Sequence, residues 1–189
     1  MPRRPTFAIV FIAAYVLLTG TSAVFAAQNL CSAQSGGTLT PVIELYTSEG
    51  CSSCPPADQW VSTLKSANAK GQVVAQAFHV NYWDYIGWTD RFAAPVHTAR
   101  QKQISAANKL DGIYTPQLVR NGVTTRAFSS SITSSETAKA QIQLSQTADN
   151  SFEAQITPVD AQTAWTAYFT VTEHGHSSRV TAGENKGEN

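Results

Sequence analysis

The chain has 189 residues, enough for one ordinary domain or two small ones. Hydrophobic residues make up 42%, sufficient to fill a core, while a formal net charge of zero and the lack of any basic run argue against a nucleic-acid partner. The three cysteines allow at most one intramolecular bridge, which excludes a disulfide-dense scaffold.

Arg3 and Arg4 precede an apolar run from Phe7 to Leu18, and Val24 and Ala26 fit the spacing of a signal-peptidase site. These features predict a secretory signal peptide over residues 1–27. A retained membrane anchor is the alternative, although the run is shorter than the roughly 20 residues that span a bilayer. A lipid anchor on Cys31 is disfavoured because Leu30 stands where a small residue is needed. The expected location is periplasmic or secreted, with membrane contact only through an uncleaved signal. Disulfides persist in such compartments. Without Arg3 and Arg4 the chain has 11 basic and 13 acidic residues, mildly acidic.

Residues 28–40 read as a polar leader. The segment from Val42 to Thr47 is short, apolar and β-branched, which predicts a buried strand. Pro55 and Pro56 suit the first turn of a helix, where their missing N–H groups would have had no partner. Trp60, Val61, Leu64 and Ala67 continue it at helical spacing, and Lys70-Gly71 suits its end. Gln72 to Val80 is apolar with little alternation, as in a strand of a buried parallel sheet reached by a right-handed crossover.

The aromatic stretch from Asn81 to Phe92 has no clean period and reads as irregular. Ala94 to Leu110 predicts a helix with Val96, Ala99, Ile104 and Ala107 on its apolar side. Leu118 begins a strand, Asn121-Gly122 is a strong hairpin signal, and Val123 to Phe128 returns antiparallel. Ser129 to Ala140 is serine-rich and ambiguous. Alternation then predicts three half-buried antiparallel strands, around Ile142–Leu144, Phe152–Ile156 and Trp165–Val171. The expected organisation is a domain over 41–140, a β-subdomain over 141–182, and a loose polar tail over 183–189.

The chemistry centres on Cys51-Ser52-Ser53-Cys54. Such a pair can be a redox couple, half of a metal site or a static bridge. Two intervening residues at a helix start bring the sulfurs within bonding reach, and the helix end favours a thiolate. Cys51, ahead of the helix, is the expected nucleophile and the more exposed sulfur; Cys54 is the expected resolving thiol. Ser52 and Ser53 offer hydroxyls to the Cys51 thiolate, and the charge of Glu49 opposes it.

Strand, C-x-x-C, helix, strand and a later Thr115-Pro116 before a hairpin resemble the thioredoxin superfamily. The stretches "ELYTSEGCSSCPPAD", "FHVNYWDYIGWTDRF", "YTPQLV" and "GEN" are similar, more closely, to a family of exported thioredoxin-like proteins of unknown function. The resemblance implies an α/β, thioredoxin-like fold with an α-helical insertion and an appended C-terminal antiparallel β-subdomain. It implies a cis Thr115–Pro116 bond facing the cysteines, a Thr115 backbone that pairs with extended substrate, and a Pro116 that shields the sulfurs from metal. In two respects the sequence departs from that family. Ser129–Ala140 is short and serine-rich where the family has a final helix, and the sequence stops at Asn189 where the family continues with a strand.

Trp83, with Tyr82, Tyr85 and Trp88, is a candidate lining for a substrate groove, or else core packing. Asp84 and Asp90 read as caps, and His79 as a hydrogen-bonded structural histidine. No cofactor or metal is expected, since the one second ligand pair with suitable spacing, His174 and His176, lies in the other subdomain. A copper carrier using Cys51, Cys54 and one histidine is a minor alternative. The leading expectation is a thiol–disulfide oxidoreductase acting on protein or small-molecule thiols or disulfides, with an unknown redox partner. The main alternative is a binding or structural module with a static Cys51–Cys54 bridge.

Overall fold

The computed structural model describes residues 31–128, 132–160 and 166–188. The predicted signal segment 1–27 lies outside them. The fold is mixed α/β, with two sheets and few helices.

The four-stranded sheet is built from β2 (Val42–Thr47), β3 (Val74–His79), β4 (Gln117–Arg120) and β5 (Val123–Thr125), in the order β3-β2-β4-β5. β2 and β3 are parallel, and β4 runs antiparallel to β2 and to β5. Between β2 and β3 lie the helices α1 (Pro55–Thr63) and α2 (Lys65–Ala69). They replace the single helix expected through Gly71, with the break at Leu64. Their apolar side does pack inward: Leu64 joins Ile43, Val73, Ala75 and Leu118 in one core cluster, with Trp60 and Ala67 against it. The other face of the sheet carries Tyr46, Phe78, Val80 and Val119, packed by Ile104 of α3 (Pro95–Ala107).

The Asn121-Gly122 hairpin forms as expected. Both residues take positive φ, 48° and 80°, which asparagine and glycine tolerate best. Asn121 also accepts the Val42 N–H on its side chain at 2.8 Å and donates its own N–H to the Val42 carbonyl at 2.9 Å, locking hairpin to central strand.

The buried side of α3 differs from the apolar side expected. Val96 is exposed, as are Ala99 and Ala107, whereas Gln101 and Ser105 are buried. Polar pairing accounts for this. The Gln101 Nε2 group donates to the Tyr114 carbonyl at 2.7 Å and to Gln117 Oε1 at 2.8 Å, and Gln117 Nε2 donates to Thr124 Oγ1 at 3.1 Å. Pairing of the two Nε2 groups offsets much of the desolvation cost that an apolar-periodicity argument assumes, although Gln101 Oε1 is buried without a partner among the described residues.

The second sheet has the order β1-β6-β7, with β1 (Cys31–Gln34), β6 (Ala140–Ala148) and β7 (Ser151–Pro158), all antiparallel. Two of its strands were expected and one was not. Residues 166–171 carry no regular secondary structure, and the third strand is β1, from the segment read as leader. All four β1 residues are exposed, so no apolar pattern marks them. Residues 168–170 instead touch the first sheet through side chains: the Tyr168 hydroxyl donates to Glu44 at 3.0 Å and the Thr170 hydroxyl to Gln76 at 2.8 Å. Among the described residues no helix is long and apolar enough to cross a membrane.

Replacing Gln101 by Ala leaves the Gln117 amide oxygen and the Tyr114 carbonyl without their donor. The expected loss is about 1–3 kcal/mol, read from the urea unfolding midpoint.

Candidate active site at the cysteine loop

β2 delivers the chain to Ser48, and the loop that follows is closed by its own backbone. Cys51 N donates to the Ser48 carbonyl at 3.1 Å, Cys54 N to the Cys51 carbonyl at 3.0 Å, and the Ser48 hydroxyl accepts the Gly50 N–H at 3.1 Å. Cys54 is the N-cap of α1, with Pro55 next to it, and its carbonyl accepts from Ala57 and Asp58. Cys51 and Cys54 form a disulfide, with Cα atoms 5.4 Å apart. The expected difference in exposure is absent: Cys51 is 1% exposed and Cys54 0%. Ser53 does place its hydroxyl 3.5 Å from the Cys51 sulfur.

Thr115–Pro116 is cis. Trp83 connects this loop to the cysteines. Its indole N–H donates to the Thr115 hydroxyl at 2.6 Å, while a Cβ on Gly50 would lie only 3.3 Å from Trp83 Cβ and from Ile86 Cδ1. Glycine at position 50 therefore lets the cysteine loop rest directly on Trp83. Tyr82 and Trp83 also pack on the Tyr46 cluster, and Trp88 donates its indole N–H to Glu49 at 2.7 Å. Of the four aromatics considered for a groove, Tyr85 is the one that stands in solvent, 81% exposed.

Beneath the loop sits a group of ionisable side chains. Asp90, 2% exposed, accepts from Glu49 N at 2.9 Å, Phe92 N at 2.9 Å and His79 Nδ1 at 2.6 Å. Burial by itself would raise the Asp90 carboxyl, but the His79 contact and these N–H groups lower it below the ordinary value. Burial pulls His79 down, and its bond to Asp90, with the charges of Asp58 and Glu49, more than reverses this and raises it. Asp58, one helical turn beyond Cys54, is pushed up to about 6 by burial, against the opposing pull of Thr47 and His79. An open cavity of about 1000 Å³ extends from here between α1, β3 and residues 170–178, bordered by Asp58, His79, Phe92 and His97.

The residue that sequence reasoning missed is Asn185. Expected in a loose tail, it is 8% exposed, and its side-chain amide donates to the carbonyls of Glu49 at 2.8 Å and Cys51 at 2.9 Å. The one sequence signal for it was "GEN", Gly183 to Asn185. Cys31 is an exposed free thiol on β1, with its sulfur 3.3 Å from Gln146 Oε1. Among the described residues no group of three or more His, Cys, Asp or Glu side chains is arranged to hold a metal ion.

The shifts set a pH dependence. Asp58 binds its proton more tightly folded than unfolded, so the stability it contributes is full below about 3.8 and is lost as pH rises through about 6. His79, also raised, loses its contribution as pH climbs beyond 6.5. Asp58→Asn is therefore expected to stabilise the protein relative to the native chain more at pH 7.5 than at pH 4.5, by about 1–3 kcal/mol. Urea midpoints at the two pH values check it; an equal effect at both refutes the burial of an ionised Asp58.

No curated protein matches the chain. A crystal structure of a protein from Agrobacterium tumefaciens is 42% identical over 46% of this chain and 38% of that one, with a TM-score of 0.41. The family described as protein of unknown function (DUF1223) matches residues 42–189. The chain belongs to that family.

Proposed function

We propose that this protein is an exported, thioredoxin-like thiol–disulfide oxidoreductase acting through Cys51 and Cys54. The observation that carries the reading is the disulfide itself, formed at the N-terminus of α1 directly after the central strand β2. The order β3-β2-β4-β5, with one parallel and two antiparallel pairings, supports a thioredoxin-like domain. So does the placement of Thr115-Pro116 immediately before β4. A disulfide is also consistent with a periplasmic or secreted location.

In the reducing direction, a substrate thiolate attacks the Cys51 sulfur, a mixed disulfide forms, and Cys54 departs as a thiolate stabilised at the helix N-terminus. A second substrate thiolate then attacks the substrate sulfur of the mixed disulfide, Cys51 leaves as a thiolate, and the substrate departs as a disulfide. Two electrons pass between protein and substrate, and each released thiolate takes a proton according to its pKa. Thr115, Pro116 and Trp83 are the residues assigned to hold substrate beside the sulfurs. Trp83 does so through the Thr115 loop that it braces.

The burial of both sulfurs favours a second reading, in which the bridge is static and stabilises the loop. Equilibration with glutathione buffers and thiol counting separates the two. A reversible couple above about −250 mV is expected for exchange, and a bridge that persists well below −300 mV indicates the static role. Cys51→Ser is expected to abolish disulfide-reductase and oxidase activity; full activity in that variant would sink the exchange reading.

A further inference from the structure

We propose that Asn185 is a positioning residue for the Cys51–Cys54 pair, holding the cysteine loop from the far end of the chain. The proposal takes its catalytic meaning from the exchange reading, but its test does not need a natural substrate.

A side-chain amide carries two N–H donors, and Asn185 spends them on two carbonyls of one loop, those of Glu49 and Cys51. The Cys51 carbonyl already accepts from Cys54 N, so Asn185 closes the loop on its second side. The amide is itself held in place. Val180 N donates to the Glu188 carbonyl at 3.0 Å and Gly187 N to the Val180 carbonyl at 2.9 Å, folding residues 180–188 into a compact turn with Val180 buried. Gly183 has φ +72°, and a Cβ there would lie 3.2 Å from Trp88 Cβ, so the turn presses on the residue that holds Glu49. The backbone on which the nucleophilic sulfur is mounted is thus clamped between Trp83, Trp88 and Asn185.

Exchange requires a thiolate to reach a sulfur and the two sulfurs to separate. Both are buried, so the loop must shift before either can react. Asn185 opposes that shift by two hydrogen bonds, and it returns the loop to one geometry when the bridge closes.

Reduction of the full chain by dithiothreitol reads this step. One reagent thiolate attacks a protein sulfur, the Cys51–Cys54 bond breaks, and the displaced sulfur leaves as a thiolate and is protonated. The second reagent thiol closes on the mixed disulfide. The reagent becomes a cyclic disulfide, and the protein gains two electrons and two protons. Asn185→Ala and Asn185→Asp both lose the two donors, and each is expected to be reduced about tenfold faster, the scale of two ordinary hydrogen bonds partly lost. Asn185→Gln keeps an amide donor and is expected to restore part of the slow rate. Val73→Ala, a core substitution in the Ile43 cluster, is expected to lower the urea midpoint without that acceleration.

Rates within twofold of the native chain for both donor-less variants would overturn the proposal. So would an equal acceleration in Val73→Ala, because reduction would then follow overall unfolding. A chain that shows no reversible couple in glutathione buffers loses the exchange reading alone, since the comparison of dithiothreitol rates is decided separately.

Discussion

Burying a carboxylate costs free energy unless donors surround it, and Asp90 meets that condition with donors from three parts of the chain. Glu49 N belongs to the cysteine loop, His79 Nδ1 to the end of β3, and Phe92 N to the segment leading into α3. One side chain therefore joins the sheet edge, the disulfide loop and the aromatic segment. The same contact raises His79 and lowers Asp90, so the pair is mutually stabilised as ions beside Asp58, whose burial favours the neutral acid. A charge-assisted contact of this kind is stronger than a neutral one, and losing His79 would leave the buried Asp90 carboxylate with only its two backbone donors.

Around that contact the structure braces the disulfide from three sides. Trp83 supports Gly50 and reaches Thr115, Trp88 holds the Glu49 carboxylate, and Asn185 takes the backbone carbonyls. Each uses a polar handle on a packed side chain, so the loop is positioned by hydrogen bonds rather than by apolar contacts alone. This rigidity suits either role of the bridge. It preorganises a reactive pair and equally protects a static one, which is why chemical access to the sulfurs is the property that separates the two.

Much of the site was legible in the sequence because its signals are local. Two cysteines at a helix start, prolines in the first turn, and a β-branched run before them define strand, loop and helix without any distant contact. Asn121-Gly122 likewise encodes its own turn, since both residues tolerate positive φ. Thr115-Pro116 was singled out by the family resemblance, from its place just before the hairpin. The failures also share a cause. β1 has four exposed residues and is a strand only because β6 offers it hydrogen bonds. α3 turns Gln101 and Ser105 inward because Gln117 lies opposite. In both, the stabilising partner is remote in sequence and polar, so apolar periodicity is silent.

The sequence by itself determined where the cysteine pair stands, that it precedes a helix, and that a parallel β2–β3 pairing and an antiparallel hairpin frame it. Those features follow from nearest-neighbour sterics and side-chain patterning. Only the tertiary structure decided that both sulfurs are buried, that Asp90 gathers three donors, and that the polar end of the chain folds back to place Asn185 on the Cys51 carbonyl. Each of these needs at least one contact between residues distant in the chain, such as Glu49 with Asp90 or Asn185 with Cys51, and such contacts leave no periodicity in the sequence that could announce them.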